Sequence, residues 1–187
     1  MAVPDDEWGR PRLIGEPHAA EQAQFIAAPL LAGAAVALIG VLAADGARFR
    51  WPGPAILCFT AAAICLIGSI QLAFRARRHL YSPAELYDWW KGQTPPEQEV
   101  LVEEQQRNFE LWLRWTNRAG TAYNLGVTAL GVGAVGLLAP PEAASQDHAI
   151  MRWLATAAVA ASAGWELALT VQPWTSRAAE WLRREDP

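Results

Sequence analysis

Apolar residues in this chain are not dispersed; they gather in four long blocks. The blocks are QFIAAPLLAGAAVALIGVLAA (residues 24–44), PAILCFTAAAICLIGSIQLAF (54–74), TAYNLGVTALGVGAVGLLA (121–139) and AIMRWLATAAVAASAGWELALTV (149–171). Each runs 19 to 23 residues. At about 1.5 Å of rise per residue, that length matches a hydrocarbon layer about 30 Å thick. Residues 25–44 and 53–74 carry no charge on any face. A soluble four-helix bundle would show apolar stripes about 100° wide backed by charged faces. The pattern predicts an all-α integral membrane protein with four transmembrane helices. A cleaved signal peptide is the other reading of the first block. That block begins behind the polar segment 1–23 and ends at Ala44-Asp45 without a persuasive small-x-small site, so it is expected to stay.

The segments between the blocks carry the remaining structure. Residues 75–120 form a long helical insert between the second and third blocks, and residues 172–187 a C-terminal helix in the cytoplasm or at the interface. Two helix starts are written into the insert: Ser82, Pro83 and Glu85, then Thr94, Pro95 and Glu97, each a cap, a first-turn proline and a capping-box carboxylate. No proline separates Pro96 from Pro140. Residues 97–139 can therefore run as one helix about 65 Å long, whose first half projects from the bilayer as a stalk. On that stalk Val102, Phe109, Trp112 and Ala119 fall close to one stripe, flanked by the pairs Glu103–Arg107 and Glu110–Arg114. Such a stripe needs a partner: the short 82–90 helix, the stalk of another subunit, or the C-terminal face of Trp174, Ala178 and Trp181. A bundled collar and a ligand platform are both compatible with it.

Charge sets the expected orientation. Net charge is -4, with 15 basic and 19 acidic residues. Twelve of the basic residues lie before the first block, in the 75–120 insert or after the fourth, and only Arg48, Arg50 and Arg152 fall on the other side. The positive-inside rule then places both termini and the insert in the cytoplasm. Cys58 and Cys65 lie seven apart inside the second block and read as packing residues, without a disulfide framework. The three histidines have no metal-ligand spacing to one another or to a cysteine, so no metal is expected. The sequence shows no Gly-rich phosphate loop, no nucleophile elbow and no paired-carboxylate arrangement on a common rigid element. No catalytic residue and no cofactor is therefore expected.

Within the blocks, polar residues concentrate towards the cytoplasmic half. Asn124 and Thr128 share a face of the third block with Thr121, while Ser162, Glu166 and Thr170 recur at i+4 steps in the fourth. They describe a polar inner vestibule below an apolar outer constriction. Glu166 has two readings: an ionisable group facing a bundle interior or water-filled cavity, or one that snorkels to the headgroups. Gly126, Gly133 and Gly136 share a face, and ATAAVAASAG (155–164) is a run of small residues. Both surfaces allow close helix approach, within one subunit or between copies.

The cytoplasmic rim is basic and aromatic. Arg75, Arg77 and Arg78 follow the second block, with Trp89, Trp90, Arg114 and Arg118 nearby in sequence. One reading is a membrane anchor, with arginines contacting anionic lipid and tryptophans in the interfacial belt. The other is a binding site for a nucleotide or short single-stranded oligonucleotide, by phosphate pairing and base stacking. Four spans, a long cytoplasmic insert and an Arg- and Trp-rich rim without a catalytic motif resemble the small membrane effectors of bacterial antiphage signalling, the Hailong-type channel among them. The resemblance covers architecture and carries no residue over by position. It implies a homo-oligomeric ion channel in a bacterial inner membrane, controlled by a nucleotide-derived signal. The alternative is a non-conducting scaffold whose stalk recruits a cytoplasmic protein.

Overall fold

The computed structural model describes residues 16–80, 88–91, 94–141 and 146–184. Among these residues the chain is all-α. Helix α1 (Glu16–Gln22) passes through a π-helical turn (Ala23–Ala27) into α2 (Ala28–Asp45). Pro29 explains the widened turn. It has no N–H to offer the preceding turn and its ring crowds that turn, so the backbone relaxes to the i→i+5 pattern seen in the bond from the Ala28 N–H to the Ala23 carbonyl. The hydrophobic pattern of the first block did not reveal this change of helix type.

A tight connection reverses the chain. Gly46–Arg48 form a 3-10 turn, Arg48 pairs with Asp45 at 2.9 Å, and Pro52 opens α3 (Pro52–Arg77). After the segment around Asp88–Trp90, which is helical, α4 (Pro95–Leu138) runs unbroken for 44 residues. The Gln98 N–H bonds to the Thr94 carbonyl at its start. The helix start read at Ser82, Pro83 and Glu85 lies outside the described residues. Helix α5 (Gln146–Arg184) completes the fold.

Three of these rods are long and apolar enough to cross a membrane: Ala19–Arg48, Pro52–Arg77 and Gln98–Leu138. They mark the chain as a multi-pass helical membrane protein. Their outward surfaces are apolar, with Leu30 70% and Leu57 71% exposed, as lipid-facing side chains are. Helix α5 contains the fourth apolar block, which Arg152 and Glu166 interrupt.

Packing follows chain order: α2 against α3, α3 against α4, α4 against α5. In lipid the hydrophobic effect does not drive helices together, so close packing must. Helix α4 provides it with glycines. A Cβ on Gly126 would lie 2.7 Å from the Leu66 side chain, one on Gly133 2.8 Å from the Phe59 ring, and one on Gly136 3.2 Å from the Ala55 Cβ. The glycine face of α4 is thus used within the chain, against α3. Phe59 and Leu66 are fully buried in the two clusters this pairing creates, with Leu42, Ala35 and Ala62 in one and Ala28 and Ala32 in the other.

Candidate functional site

The opposite side of α4 meets α5 through Gly131, where an added Cβ would lie 2.9 Å from the Ala163 Cβ. Near the Leu138 end of α4 the Arg152 guanidinium donates to the Leu138 carbonyl at 3.0 Å and the Leu137 carbonyl at 3.1 Å. These are carbonyls left without intrahelical partners at a helix C-terminus, and a cation there also meets the favourable end of the helix dipole. The two contacts fix an antiparallel register. Three residues from the Gly131–Ala163 contact, Thr128 and Glu166 come level; seven residues from it, Asn124 and Thr170 do.

Burial agrees with that register. Arg152, Thr156, Val159, Ala163, Glu166 and Thr170 form one protected stripe along α5, while the described side chains between them, Ser162 included, are exposed. Asn124 and Thr128 are partly buried on the facing side of α4. The arrangement brings Asn124, Thr128, Glu166 and Thr170 to one stretch of the α4–α5 seam and leaves Ser162 off it. The Thr170 hydroxyl donates back to the Glu166 carbonyl at 2.8 Å, and Thr156 likewise to Arg152 at 2.7 Å. The Thr128 hydroxyl is buried without a hydrogen-bond partner among the described residues. Glu166 is half-buried on the side of α5 turned towards α4.

At the stalk end the basic rim separates into distinct contacts. Arg75 lies 5.5 Å from the centre of the Trp115 ring and Arg118 5.2 Å from the same ring. Two positions on, Arg77 points elsewhere: it pairs with Glu21 and lies 4.3 Å over Phe25, which packs edge-on against Phe74 with ring centres 5.0 Å apart. Arg78 is exposed at the helix cap, and Arg114 pairs with Glu110 at 3.5 Å. Trp89 and Trp90 are both exposed on their helical turn. The structure therefore sends Arg75 and Arg77 to different neighbours and leaves Arg78 exposed. The Trp115 contact was foreshadowed only by its three-residue spacing from Arg118; the Glu21 and Phe25 partners of Arg77 had no sequence signal.

The stalk presents Val100, Phe109 and Leu113 exposed, with Trp112 half-buried and its ring 5.4 Å from that of Phe109. His79 Nδ1 stands 3.2 Å from Asn108 Oδ1, tying the end of α3 to the stalk. Of the C-terminal face, Trp174, Ala178 and Trp181 lie outside the residues whose side chains are described. Cys58 and Cys65 are free thiols. Among the described residues no cluster of histidine, cysteine and carboxylate side chains could hold a metal ion.

This arrangement defines a class, a multi-pass helical membrane protein. Comparison with protein families, characterised proteins and solved structures found no match.

Proposed function

We propose that this chain is a homo-oligomeric ion channel of a bacterial membrane, with α5 as its fourth span and the α4–α5 seam as its ion-selective element. The observation that carries the reading is the position of Glu166, on the protected stripe of α5 and level with Thr128 on α4. A carboxylate kept within a span at the cost of apolarity is the group expected along an ion path. Arg152, the other charge in the fourth apolar block, is accounted for by the carbonyls it caps.

Gating runs through α4. It is one helix from stalk to seam, so a displacement applied at the stalk reaches Gly131 and Thr128 without a hinge. Helix α5 is attached mainly through α4, and that single seam is the element free to adopt a second packing. In the antiphage setting suggested by the architecture, the signal acting on the stalk would be a nucleotide or short oligonucleotide, and both termini would be cytoplasmic.

A second reading, a scaffold that recruits a cytoplasmic protein, is favoured by the exposed Val100, Phe109 and Leu113 of the stalk. Purified protein in planar bilayers separates the two. Unitary currents support the channel. Silence at every voltage and with every nucleotide tried leaves the scaffold.

A further inference from the structure

Arg75 and Arg118 approach one indole ring from two helices, the last turn of α3 and the stalk side of α4. Both side chains are exposed, and among the described residues neither has a carboxylate partner. Cation–π contact with Trp115 accounts for part of this gathering, at about 0.5–1 kcal/mol for an exposed pair. Two exposed guanidinium groups gathered at one ring are also a pair of forked donors that an oxyanion can bridge.

The position identifies the anion. Trp51, beneath the Arg50 guanidinium, marks one end of α3 and Arg75 the other. Their separation of 24 residues corresponds to about 36 Å of helix, beyond the hydrocarbon layer and within the headgroup zone. Headgroup phosphates lie at that depth. Guanidinium groups offer planar forks that match phosphate oxygens, and an indole restricts how they turn.

We propose that Arg75, Trp115 and Arg118 form a phosphate clamp at the membrane boundary, with Trp115 holding two guanidinium groups around one phosphate. The shared chemistry is a phosphate oxyanion, supplied by a lipid headgroup or by a free phosphate. Arg77, paired with Glu21, is not part of it. The clamp rests on the membrane-embedded reading above and is independent of whether the protein conducts.

The test uses the full chain in detergent, with bound species counted by native mass spectrometry. Three probes are compared: phosphatidylglycerol, diacylglycerol with the same tails and no phosphate, and inorganic phosphate. The parent is expected to bind phosphatidylglycerol in preference to diacylglycerol. Arg75→Lys with Arg118→Lys, which keeps both charges and removes both forks, is expected to weaken that binding about tenfold. Competition by inorganic phosphate assigns the clamp to free phosphates; no competition assigns it to lipid. Equal binding of phosphatidylglycerol and diacylglycerol by the parent overturns the proposal. So does undiminished phosphate binding in the double-lysine variant and in Arg75→Gln with Arg118→Gln. Because the readout is binding, a protein that never conducts still tests the clamp.

Discussion

Gly131 and Ala163 set the distance between the last two helices: a Cβ placed on Gly131 would lie 2.9 Å from that of Ala163, closer than side chains pack. The seam that holds Glu166 is built on this contact. Gly131→Val is expected to push α5 from α4 and to lower stability by about 1–3 kcal/mol, the usual cost of overpacking. Reversible unfolding in mixed detergent measures that cost. In the channel reading the same variant conducts abnormally, whereas Gly164→Ala, where nothing lies within 4 Å of the added carbon, behaves like the parent in both assays.

The glycines facing α3 make a matching expectation. Gly133→Ala places a methyl 2.8 Å from the fully buried Phe59 ring. It is expected to destabilise the fold by about 1–3 kcal/mol through strain. Gly40→Ala, in open surroundings, is expected to be neutral or to stabilise by up to about 1 kcal/mol through helix propensity. Equal thermal stability of the two variants in one detergent would contradict the assignment of this face to contacts within the chain.

Much of this architecture was legible in the sequence, and the reasons differ by element. The first three apolar blocks are long enough to cross lipid as helices, which satisfy their own backbone there, and the stretch after Pro96 had no residue to break it. The pairing of helices was less accessible. Gly126, Gly133 and Gly136 announced a close approach without naming Phe59 or Leu66 as its partners, since packing partners come from tertiary contacts. The arginine rim read as one group because its members are neighbours in sequence. On a helix, residues two apart face different directions, and Arg75 and Arg77 accordingly meet α4 and the N-terminal helix. Of the residues the sequence grouped as a vestibule, Ser162 shares i+4 spacing with Glu166 yet falls beside the packed stripe, while the levels of Asn124, Thr128 and Thr170 required the Gly131–Ala163 register.

Arg152 is a structural charge. Its guanidinium donates to two terminal carbonyls of α4, at 3.0 and 3.1 Å. Arg152→Met removes both bonds and is expected to cost about 1.5–3 kcal/mol, the range for hydrogen bonds to a charged group. Arg152→Lys restores charge without the fork and should recover only part of that loss. Unfolding of the three proteins side by side ranks them. A methionine variant as stable as the parent would remove the capping role.

The ion pair of Arg77 with Glu21 links the N-terminal helix to the end of α3, and both side chains are about half exposed. Exposed pairs contribute little, so a double-mutant cycle of Arg77→Gln and Glu21→Gln is expected to give a coupling of no more than about 1 kcal/mol. Raised salt should shrink it further. A coupling of several kcal/mol would mean that the pair is shielded from water in the membrane.

Glu166 is proposed to line an ion path along the α4–α5 seam, and its carboxylate can be neutralised with almost no change of shape. Single-channel recording of the parent and of Glu166→Gln in planar bilayers, under a salt gradient that reports cation against anion preference, reads the effect of that one charge. The parent is expected to conduct with cation preference. The glutamine variant is expected to keep near-parent stability while its conductance or cation preference falls, because a carboxylate concentrates cations. Unchanged conductance and selectivity in Glu166→Gln would contradict the ion path.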